Sequence, residues 1–137
     1  MKIEIDESRF PILWAMYPEQ LSDDDLNDYL RRSAAYLERQ VRHVMVIDLT
    51  HMGKSLEKHR RMIAAWTRDH ENELRAHRAG TVFVSPLTEQ KSTVSGVFWH
   101  AVPPYAYFLA YDAGSALRWA EKRLAAGGGG GKLAQGS

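Results

Sequence analysis

RHVMVIDLTHMGKS, residues 42–55, carries an unbroken apolar run, Val44-Met45-Val46-Ile47, closed by Asp48-Leu49-Thr50 and then by Gly53. A strand that is apolar on successive residues has both faces covered, as a central strand of a parallel sheet flanked by helices does. The polar stretch after it leads into a helix. In open α/β sheets, binding sites lie where strands end and helices begin. Residues 48–55 are therefore the first place to look for a site.

Upstream, Ile3 and Ile5 alternate with Lys2, Glu4 and Asp6, the pattern of a half-exposed edge strand. Residues 7–10 read as a turn into a second strand, Pro11–Tyr17, whose contiguous Ile12, Leu13 and Trp14 place it deeper. So short a connection predicts an antiparallel pair. Ser22 followed by Asp23, Asp24 and Asp25 is a helix start, with a side-chain cap and carboxylates at the positive end of the dipole. Leu26, Tyr29, Leu30, Ala34, Leu37 and Val41 continue it as an amphipathic ridge. The three aspartates read as capping and solvation rather than a metal site, because adjacent side chains on a helix diverge.

Downstream, residues 55–78 read as one helix with the ridge Leu56, Ile63, Trp66 and Leu74. His59, His70 and His77 fall on or beside that ridge. The first two are roughly 16 Å apart and the last two about 10 Å, too far to share an ion. They read as side chains at the helix flank or at a partner surface. Gly80 is expected to end the helix before a third buried strand, Thr81–Ser85. Residues 86–100 read as a less regular helix, stopped by Pro103-Pro104, and Tyr105–Tyr111 as a last strand. Asp112 caps a final helix with inner residues Ala116, Leu117, Ala120 and Leu124. The glycine run from Gly127 cannot pack without a large entropy loss, so 1–126 is the domain and 127–137 a flexible tail or linker. The order is β-β-α-β-α-β-α-β-α. It describes an α/β fold with a mixed, mostly parallel sheet, an antiparallel edge strand and four helices.

Composition narrows the function. At 137 residues, 45% hydrophobic and 26% charged, this is an ordinary globular domain. A net charge of +1 leaves no electrostatic footprint for nucleic acid or an anionic membrane. The absence of cysteine excludes disulfides and thiol chemistry. No apolar run approaches membrane-spanning length, and MKIEIDESR is no secretory core, so the expected location is the cytoplasm.

Element order and several strings resemble the STAS domain family, in particular its bacterial SpoIIAA-like branch of anti-sigma-factor antagonists. The strings are VMVIDLT at 44–50, HRRMIAAW at 59–66, GTVFV at 80–84 and PYAYFLAYDAGSALRWAEKRL at 104–124. The resemblance implies a non-enzymatic, regulatory protein-interaction module. In anti-sigma antagonists a partner kinase phosphorylates a serine after the central strand, and phosphorylation ends binding. The nearest counterpart here is Ser55, with Thr50 second. The loop is shorter than the family's, and Gly53-Lys54-Ser55-Leu56 replaces its acidic-Ser-Ser-Gly string. The branch is also akin in shape to CRAL-TRIO lipid carriers, which implies a lipid or other apolar ligand as the alternative.

Ser55 also has a structural role available, as a helix cap. A phosphate there would meet the helix dipole and Lys54. A nucleotide-binding P-loop would need glycine five positions before Gly53, where Asp48 stands. Asp48, His51 and Ser55 make a nucleophile trio on paper, but relay geometry usually draws on separate loops. Trp99, His100, Tyr105 and Tyr107 surround the double proline; Trp99, with Trp66, is a candidate for a partner or self-association patch. The expectation is thus a protein-binding domain with no enzyme activity, cofactor or metal, using Asp48, Thr50, His51, Lys54 and Ser55. A lipid or small-ligand binder is second, and a homo-oligomeric scaffold third.

Overall fold

Val44–Ile47 do form the middle strand of the sheet. The computed structural model describes residues 2–85 and 103–126. Its elements are β1 (Glu4–Arg9), β2 (Ile12–Met16), α1 (Asp23–Glu38), β3 (His43–Asp48), α2 (Glu57–Asp69), α3 (Glu71–His77), β4 (Arg78–Val84), β5 (Tyr107–Ala110) and α4 (Ala113–Ala126). The strands lie side by side in the order β1-β2-β3-β4-β5. β1 and β2 are antiparallel and every other pair is parallel. Val44 stands between Ile12 and Gly80, and Asp48 between Met16 and Val84.

The pleat sends successive β3 residues to opposite faces, and each face has its own core. Met45 and Ile47 join Leu13, Ala15 and Phe83 under α1, with Leu26, Tyr29, Leu30 and Leu37 above them. Val44 and Val46 join Ile12, Val82, Val84 and Ala110 under α4, which meets them with Ala116 and Ala120. Each fully buried aliphatic side chain contributes about 1.5–3 kcal/mol, so the alternation within β3 holds both layers at once.

Helix ends follow their capping chemistry. Ser22 Oγ accepts the Asp25 N–H at 3.0 Å, and Asp112 Oδ1 accepts that of Ser115 at 2.8 Å. α1 stops at Glu38 because Gln40 takes a left-handed φ of 58° and returns its N–H to the Leu37 carbonyl. Val41 consequently lies beyond the helix and is exposed, not on the inner ridge. Leu56, also expected on an inner ridge, is exposed as the first flanking residue of α2.

The long helix expected over 55–78 is two. At His70 (φ −114°, ψ 24°) the backbone leaves helical geometry, and both the ring Nδ1–H and the amide N–H donate to the Trp66 carbonyl. The chain restarts as α3 at Glu71. Gly80 does not end a helix; it sits inside β4, which starts at Arg78. A Cβ on Gly80 would come within 2.6 Å of Trp119 Cη2, so the glycine is there to let α4 approach the sheet. The helix expected over 86–100 and the tail 127–137 lie outside the described residues. No helix among the described residues is long and apolar enough to cross a membrane.

Candidate functional site

The layer under α1 and α2 is not completely filled. A cavity of about 340 Å³ lies between these helices and the sheet, within the size range of small-molecule sites. Ile47 and Phe83 contribute from the sheet, Tyr29 and Leu30 from α1, and Ile63 and Trp66 from α2. Two loops at the C-terminal ends of the strands edge one end, with Glu19 and Leu21 after β2 and Met52–Leu56 after β3. Arg78 and Tyr105, at the N-terminal ends of β4 and β5, edge the other.

The two loops are fastened to each other. Asp48 Oδ1 accepts both the N–H and the hydroxyl of Thr50, and its Oδ2 accepts the Trp14 indole N–H at 3.1 Å. This tight turn sends Leu49 N–H to the Val84 carbonyl and then Gly53 N–H to the Glu19 carbonyl, at 2.9 and 3.0 Å. A Cβ at Gly53 would stand 2.8 Å from that carbonyl oxygen, so the contact requires glycine. Beside it, Asp23 at the start of α1 accepts the His59 Nε2–H at 2.8 Å and pairs with the Lys58 ammonium. Those two bonds, Lys58's first, hold the Asp23 carboxyl below the usual range. His59 is buried by this tether and lines the cavity, although its sequence position reads as a helix flank.

Of the residues singled out in the sequence, Lys54, Ser55 and Trp66 come together on the cavity's lining. Asp48 is committed to the turn, and Thr50 and His51 are exposed outside the cavity. Ser55 does not cap α2: Leu56 holds the capping position, with no side-chain bond. Ser55 Oγ instead accepts from Arg60 Nη1 at 2.8 Å, while Arg60 Nη2 bonds Glu57. None of the recorded hydrogen bonds of Asp48 and Ser55 joins them to each other or to His51, so no relay is assembled. Trp66 stacks on His70, with ring centroids 4.5 Å apart. Trp99 lies outside the described residues. Among the described residues, no group of three or more acidic or histidine side chains could hold a metal ion.

Sequence reasoning missed the other end of the cavity. Arg78 is only 6% exposed, yet its Nε and Nη2 have no hydrogen-bond partner, while Nη1 reaches Thr81 Oγ1 at 3.4 Å. Its guanidinium carbon lies 6.0 Å from the Trp66 ring centre and 5.6 Å from that of Tyr105. Burial pushes the Tyr17, Tyr29 and Tyr105 phenols up, and the Arg78 charge works against that rise at all three. Ser33 Oγ is buried without a partner in hydrogen-bonding geometry, although the Tyr29 phenol lies beside it. In the sequence Arg78 reads as the end of a helix, and Tyr105 as one of the aromatics around the double proline.

A scan against family models and a search of curated protein sequences each return no match. Among solved structures, the chain is similar to an uncharacterized protein of Shewanella loihica, described as a DUF3478 family member with a SpoIIAA-like fold. The two share 18% sequence identity over 86% of this chain and 91% of that one, with a TM-score of 0.59. Agreement at that identity speaks for the backbone, and it matches the sheet order and antiparallel edge described above. The chain has a SpoIIAA-like fold.

Proposed function

We propose that this chain is a non-enzymatic regulatory module that holds a small apolar molecule between its sheet and helices α1 and α2. The observation that carries this reading is the 340 Å³ cavity, walled largely by apolar side chains. Its lip, Met52–Leu56, belongs to the same loop that the resemblance to anti-sigma antagonists implies as the partner contact. Occupancy and partner binding are thereby coupled: a ligand that orders the lip changes the surface a protein partner meets. The test is saturable binding of a neutral fluorescent probe small enough for the cavity, 1-naphthol, to the full chain. One site per chain is expected, lost in Ile63→Trp, which fills the cavity and keeps a cooperative melt. No saturable binding, or binding indifferent to the substitution, would overturn the reading.

A second reading concerns Ser55 as a phosphorylation site. The Arg60 guanidinium at 2.8 Å and the neighbouring Lys54 supply the charges a phosphate would engage. A phosphate there would draw Arg60 from Glu57 and rearrange the lip. Pull-downs in which Ser55→Glu retains every wild-type partner would remove this switch.

A further inference from the structure

Arg78 is a buried cation at this site that its surroundings leave incomplete. A guanidinium stays charged even in a protein interior, and a buried charge without a hydrogen-bonded partner is strongly unfavourable. The Trp66 and Tyr105 rings supply cation–π attraction, yet Nε and Nη2 are left without an acceptor. Among the described residues that line the cavity, the sole carboxylate is Glu19, at the end fastened to Gly53. Arg78 opens β4 six residues away from the other end of that strand, roughly 20 Å at the rise of a strand. The two nitrogens without partners, Nε and Nη2, share one edge of the guanidinium. That edge is the fork whose two N–H groups donate to both oxygens of a carboxylate side-on.

Resting on the cavity reading above, we infer that the ligand is an aliphatic monocarboxylate whose head is bound by the Nε/Nη2 edge of Arg78 and whose chain extends toward the Met52–Leu56 lip. One monovalent head balances one guanidinium. The Ser33 hydroxyl, which lines the same cavity beside the Tyr29 phenol, is a further donor. At ~30 Å³ per heavy atom, the share of a water in the liquid, a volume of 340 Å³ holds about ten, which suits an eight-carbon acid.

Calorimetric titration of the full chain with octanoate and with octanol tests this. The wild type should bind octanoate about ten- to a hundredfold more tightly than octanol, as hydrogen bonds to a charged group suggest. Arg78→Met should bind the two alike, with its octanol affinity within about twofold of wild type on the strength of its unchanged apolar walls. Octanol binding as tightly as octanoate to the wild type would overturn the carboxylate assignment and leave the cavity reading standing. Binding of neither would overturn both. Displacement of octanoate by an equal concentration of inorganic phosphate would overturn the choice of a carboxylate. Should Arg78→Met not fold, the Arg78 Nε–H resonance of the wild type decides. It should move with octanoate and stay still with octanol, and a resonance indifferent to octanoate would overturn the inference.

Discussion

The His43 ring is buried at the start of β3, where its Nδ1–H donates to the Val41 carbonyl at 3.0 Å and its Nε2 has no partner. Burial first, then the Arg78 charge, pushes its pKa from 6.5 to about 4, with His77 adding a smaller push in the same direction. The unfolded chain therefore takes up a proton at a pH where the folded chain refuses it. Stability from this group is complete above about pH 6.5 and is lost as pH falls toward 4, by about 3 kcal/mol in all. His43→Asn, which keeps a donor for Val41, should lose clearly less stability than wild type between pH 7 and 4.5 in urea titrations. Arg78→Met should be more stable than wild type by about 1 kcal/mol in the same assay. Removing an unmatched buried charge gains more than the lost contacts with Trp66 and Tyr105 cost. It should also shrink the acid loss at His43, because one of the charges opposing protonation is gone.

Between elements, the closest approach is that of α4 to β4 across Gly80. Gly80→Ala should push the Trp119 ring from its stacked position on Phe108 and cost about 1–3 kcal/mol, read as a lower urea midpoint with an unchanged slope. This is also where sequence reading reached its limit. Val44–Ile47 and the caps at Ser22 and Asp112 were legible because each depends on neighbours a few residues away. The break at His70 and the start of β4 at Arg78 were not, because tertiary contacts decide them: Arg78 lies against Trp66 and Tyr105, and Arg123 Nε donates to the Ala79 carbonyl at 3.1 Å. The site divides in the same way. Lys54 and Ser55 could be found because a loop after a central strand is a topological expectation. Tyr29 and Ser33 on α1 meet Arg78 from a distant part of the chain, and on their own elements each reads as a helix face or a helix end.

For the whole molecule, the two faces of the sheet have different tasks. Small residues on α4 close one face tightly, and the other keeps a void under α1 and α2. A ligand that fills the void and ignores the unfolded chain adds stability by mass action, ~2.7 kcal/mol at a hundred times its dissociation constant. For a domain of this length that is a melting shift of about 10 °C. Octanoate should produce it in thermal scans of the wild type and a much smaller shift in Arg78→Met at the same concentration.

The bond from Gly53 to Glu19 joins the two loops that edge one end of the cavity, so a guest that spreads those loops must part the clasp. Deuterium uptake at the Gly53 amide then becomes a clock for the doorway. In the free protein its opening frequency reports how often that end of the cavity gives way. With a guest inside, that same amide should fall nearly silent.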